Sequence, residues 1–172
     1  SYDIVFPLPS YVSGVPPNAP NAYSDGGFTS PTLPRYGLIS AGIWHQYRQA
    51  QNVVELVEGE RLFSSIHQGS EGLQLLTTTG GLNGSSYRAE LLGIIIASYS
   101  PHPVMLALDN RAVVNKAQAI ISHLSSSPDS PFPQGPFSLQ ADGDSWEIFY
   151  HNVRARGPSS IAVVWVKGHV VD

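Results

Sequence analysis

The run Val104-Met105-Leu106-Ala107-Leu108 constrains this chain more than any other stretch. Five apolar residues stand in a row, with Pro101 and Pro103 before them and Asp109-Asn110 after them. So short a run between turn signals reads as a strand buried on both faces, the kind found inside a sheet covered by helices. Its neighbours agree. Tyr87 to about Ser98 is predicted as a helix that is apolar all round after Glu90, and Arg111 to Leu124 as a helix with Val114, Ala117, Ile121 and Leu124 on one face. A further helix is expected over Ser145 to Arg156 and a last strand over Ile161 to Val166, with Gly157-Pro158 as the break between them.

The first half reads differently. Ala22 to Phe28, Tyr36 to Trp44, Val53 to Val57 and Gly72 to Thr78 are strand candidates in succession, which predicts an antiparallel meander. Strands first, then strand and helix in alternation, imply an α/β mixed sheet with flanking helices. Residues 1–21 hold five prolines and no periodicity, so they are expected to form a proline-rich lead-in to a domain spanning 22–172.

Composition narrows the function. With 172 residues, 42% of them hydrophobic and 13% charged, the chain suits one domain with a real core. It has no cysteine, which excludes disulfides and thiolate metal sites. No apolar run reaches the length of a membrane-spanning helix and no signal peptide is visible, so a soluble protein of the cytoplasm or nucleus is expected. The net charge of −4 argues against strong non-specific nucleic-acid binding, although Arg88, Arg111, Lys116, Arg154, Arg156 and Lys167 all fall in the second half, where they could form a local basic patch.

Three carboxylates stand out by context. Asp109 ends the buried strand, where open α/β sheets place ligands, although an aspartate there also serves as a helix N-cap. Glu90 lies on the apolar helix, where an unpaired carboxylate is costly. Asp25 precedes Gly26-Gly27, at which backbone can approach a ligand closely or simply turn.

Taken in order, the motifs resemble those of the ribonuclease H family. Tyr23-Ser24-Asp25-Gly26-Gly27 is similar to its opening T-D-G-S motif, Tyr87-Arg88-Ala89-Glu90-Leu91 to its R-x-E-L helix, Leu106-Ala107-Leu108-Asp109-Asn110 to its third motif, and Trp165-Val166-Lys167-Gly168-His169 to the strand and loop before its mobile histidine. Asp144-Ser145-Trp146 is similar to the start of its preceding helix, and the resemblance spans about residues 22 to 169.

The resemblance implies a mixed five-stranded sheet and hydrolysis of the RNA strand of RNA–DNA hybrids. Two Mg²⁺ ions (Mn²⁺ as a substitute) would be held by Asp25, Glu90 and Asp109, with His169 moving protons or easing product release. Gly26, Ser85, Ser86 and Asn110 occupy the positions that would contact the hybrid. A fourth carboxylate and a C-terminal helix would follow His169 by about ten residues. They are not in this sequence, and Asp172, only three residues after His169, is not at the spacing of that carboxylate. Together with the lead-in, this suggests a segment of a larger polyprotein, such as that of a retroelement. Two other readings stay open: an inactive RNase H-like structural or interaction module, and a two-carboxylate glycosidase.

Overall fold

The computed structural model describes residues 6–29, 38–46, 48, 56–63, 65–68, 72–80 and 86–167, with backbone alone at 25–29, 38–41, 62–63, 65–68, 76–80 and 86. The chain runs β1 (Ala22–Thr29), β2 (Leu38–Gln46), α1 (Glu58–Phe63), β3 (Ser65–Gln68), β4 (Gly72–Gly80), α2 (Ser86–Ala97), β5 (Val104–Leu108), α3 (Arg111–Ser126), α4 (Gly143–Arg156) and β6 (Ile161–Trp165). The strands form one sheet in the order β3-β4-β2-β1-β5-β6. β1, β2 and β4 pair antiparallel, whereas β5 joins β1 and β6 in parallel.

The expected mixed sheet with flanking helices is present. Its five-strand core β4-β2-β1-β5-β6 is extended at one edge by β3, a four-residue strand paired with β4. β3 falls in Arg61 to Gly69, a stretch without a readable pattern. Of the predicted strand Val53 to Val57, residues 53–55 lie outside the described residues, and Glu58 already opens α1.

β5 forms where its apolar run predicts. Val104, Leu106, Ala107 and Leu108 are buried, because helices cover the sheet around it. α2 lies deepest, with Ala89, Leu91, Ile94, Ile95, Ile96 and Ala97 all in the core. At Gly93 a Cβ would stand 2.4 Å from Ser24 Oγ, so the missing side chain is what lets α2 sit down on β1. α3 turns Val113, Val114, Ala117, Ile120 and Leu124 inward. The sequence pattern favoured Ile121, but the helix phase buries Ile120 and leaves Ile121 half-buried. α4 contributes Trp146, Phe149, Val153 and, unusually, Arg156, which is fully buried.

The proline-rich lead-in lies against this core. Val12 is buried and its N–H donates to the Arg156 carbonyl at 2.9 Å. Asn21 then splices lead-in to sheet: its amide N–H₂ donates to Pro103 O at 2.9 Å, and its Oδ1 accepts the Met105 N–H at 2.8 Å.

Candidate active site at the carboxyl end of β5

Register decides what stands beside what. Tyr23 of β1 pairs with Ala107 of β5 on parallel strands. Two residues further along each strand come Asp25 and Asp109, so the backbone brings these positions to one level at the carboxyl end of β5. This is the place where α/β sheets leave a crevice for ligands. Only the backbone of Asp25 is described.

Asp109 is exposed and does not cap α3. That duty falls to Asn110, whose Oδ1 accepts the Val113 N–H at 3.0 Å. The N-cap reading weighed for Asp109 therefore belongs one residue later. Asn110, expected to touch substrate, has its oxygen engaged in the cap and keeps its amide N–H₂ group as a donor.

Glu90 is 7% exposed on α2 and faces β1, where the Ser24 hydroxyl donates to its Oε2 at 3.0 Å. Burial makes a partner for this carboxylate necessary, and a metal ion is one such partner. The structure supplies a protein partner, Ser24, which nothing in the local pattern marked. α2 is oriented from its other side too: Tyr87, beside Glu90, accepts the Trp146 indole N–H at 3.0 Å, and Arg88 pairs with Asp142 at 3.3 Å. The motif arginine thus ties α2 to the start of α4.

Beyond Asp109, Arg111 stacks its guanidinium 4.1 Å above the ring of Trp165, itself 37% exposed. β6 places Trp165 there by pairing it with Leu108, and the Val166 N–H continues the ladder to Leu108 O at 3.0 Å. Such a pair is attracted through the ring quadrupole and holds the guanidinium flat. Of the other basic residues in the second half, Arg156 is buried, Arg88 is paired with Asp142 and Lys116 donates to Gln140 at 2.5 Å.

Ser85, His169 and Asp172 lie outside the described residues, as do the side chains of Asp25 and Ser86. Among the described residues, no group of three His, Cys, Asp or Glu side chains comes together as a metal cluster. No helix among them is long and apolar enough to cross a membrane.

No family model and no curated protein matches the sequence. Solved structures do share its architecture. One is LC9-RNase H1, a type 1 RNase H with the type 2 active-site motif, at TM-score 0.52, covering 92% of this chain and 67% of that one with 13% identity. Another is the PFV RNase H domain, at TM-score 0.50 and 17% identity, covering 88% and 80%. The fold is that of ribonuclease H. A third RNase H-like match is the foamy viral protease-reverse transcriptase in complex with dsDNA, at TM-score 0.52 and 14% identity over 87% of this chain and 81% of that one. Within this fold, β1 and α2 carry Asp25 and Glu90, and Asp109 directly follows β5.

Proposed function

We propose that this protein is a divalent-metal-dependent endonuclease that hydrolyses the RNA strand of RNA–DNA hybrids. The observation that carries the reading is the alignment of Asp25 and Asp109 across parallel strands, beside a helix whose Glu90 is held against β1.

The donor set fits Mg²⁺. Its members are carboxylates, the hard oxygen ligands that this ion prefers, and Asp109 is exposed and free of capping duty. Asp25, Glu90 and Asp109 would hold the ions. Bound Mg²⁺ supplies activation of a water and stabilisation of the oxyanion that leaves as the phosphodiester P–O bond breaks. The protein's own part is positioning. Ser24 fixes one Glu90 oxygen against β1. Arg111, flat on Trp165, offers a fork of N–H donors to a phosphate beside Asp109. The Asn110 amide N–H₂ would donate to a 2′-hydroxyl and choose RNA over DNA, with Gly26, Ser85 and Ser86 as the further hybrid contacts that the resemblance implies. His169 would carry the proton to or from the site.

The test is Mg²⁺-dependent cleavage of an end-labelled RNA–DNA hybrid by the wild type and by Asp109→Asn. Cleavage by the wild type and its loss in the variant, at unchanged melting temperature, is the expected result. Absence of cleavage with either Mg²⁺ or Mn²⁺ would overturn the proposal in favour of a non-catalytic module with this fold.

A further inference from the structure

The opposite end of the sheet holds a second polar site. A cavity of about 210 Å³ opens where β1 and β5 begin and β2 ends, lined by Asn21, His45, Gln46, Arg48, His102 and Val104 among others. His45 is only 4% exposed, and its Nε2 has no hydrogen-bond partner among the described residues. A buried imidazole nitrogen with nothing to bond, on a residue that lines a polar cavity, is costly unless a ligand or water completes it.

The surroundings narrow the class of ligand. Glu60 is the only carboxylate described as facing this group, and it is fully engaged. Arg48 grips both of its oxygens, and the Val57 N–H donates to Oε1 at 3.2 Å. Arg156 spends its guanidinium on the carbonyls of Ser98, Ser100 and His102, each at 2.8 Å, so those acceptors are taken too. Two guanidinium groups thus face one carboxylate, leaving an excess of one positive charge. Burial, and then the neighbouring Arg48, lowers the pKa of both His45 and His102. A cation would meet repulsion here, and an apolar ligand would leave His45 unsatisfied. An oxyanion relieves both.

We propose that this cavity binds a phosphate-sized oxyanion, with His45 and His102 as hydrogen-bond donors and Arg48 as the nearest charge. The phosphate is either free inorganic phosphate or the terminal group of a nucleotide.

The experiment follows the imidazole Cε1–H resonances and the melting temperature of the full chain. Inorganic phosphate and adenosine 5′-monophosphate are titrated separately against chloride at matched ionic strength. Phosphate is expected to shift the His45 and His102 resonances and raise the melting temperature. His102→Gln, at an exposed position, is expected to weaken the affinity roughly tenfold, the loss of about one charge-assisted hydrogen bond. Tighter binding of the monophosphate would assign the site to a nucleotide, and equal binding to the free ion. No ring shift at tens of millimolar of either anion, or an affinity unaltered by His102→Gln, would overturn the proposal and leave the cavity to water.

Discussion

The two ends of the sheet gather opposite charges and treat them in opposite ways. Where β1 and β5 begin, Arg156 and Glu60 are fully buried and Arg48 is largely covered, and Arg156 alone donates five hydrogen bonds to Ser98, Ser100, His102 and Ser160. At the carboxyl end of β5, Asp109 is exposed and holds no cap. Charge in a dry interior has to be matched locally, and once matched it is spent on holding the fold. Charge at an open strand end stays available to a ligand. The same fold therefore keeps its stabilising electrostatics and its candidate chemistry at opposite edges, with β1 and β5 running between them.

The contrast can be broken most severely at Arg156. Arg156→Ala is expected to cost about 3 kcal/mol or more, because it strands three carbonyls and leaves Glu60 with less compensation. Urea denaturation measures this, and a loss below about 1 kcal/mol would mean that water replaces the clamp. Asp109→Asn should leave the same curve unmoved, since nothing in the interior depends on it.

Acid tests the cationic end next. Burial and the nearby Arg48, His102 and Arg156 charges push the His45 pKa from 6.5 down to about 3. The unfolded chain therefore binds a proton below pH 6.5 that the folded chain refuses. Stability should be flat above that pH and fall as the pH drops from 6.5 towards 3, by a few kcal/mol in all. His45→Gln should flatten the slope in melting experiments, and an unchanged slope would place the acid lability elsewhere.

Smaller effects sharpen the acidic end. Gly93→Ala drives a methyl into Ser24 Oγ and should cost roughly 1–3 kcal/mol, with part of the cost recovered in a Ser24→Ala background. A double-mutant cycle reads that coupling, and strict additivity would deny the contact. Asn110→Ala removes the α3 cap and should cost about 1 kcal/mol, visible as a lower melting temperature.

Much of the architecture was legible because it rests on periodicity. β5 matches its apolar run residue for residue, and α2, α3 and α4 begin within two residues of their predicted starts. Ile120 replaced Ile121 because the burial phase of α3 is set by β6 and α4, which a single-helix pattern does not contain. The cap at Asn110 was misplaced because aspartate and asparagine cap equally well, and only backbone geometry separates them. Asp25, Glu90 and Asp109 announced themselves by polarity in apolar surroundings. Ser24, by contrast, is an ordinary strand serine until α2 is laid across it, and the Arg111–Trp165 stack joins positions that only the β5–β6 register unites. Arg156 read as a surface base at the end of a helix, since no sequence pattern reveals three inward-turned carbonyls waiting for it.

The seam made by the lead-in bears on how this polypeptide can be cut. Val12 fastens to the carbonyl of Arg156, and Asn21 stitches itself to Pro103 and Met105. A boundary drawn at Ala22, where the regular strand starts, would sever those stitches and strip one wall from the cationic cavity. A fragment meant to stand alone, or to be moved into another protein, should start ahead of Tyr11 and carry its prolines with it.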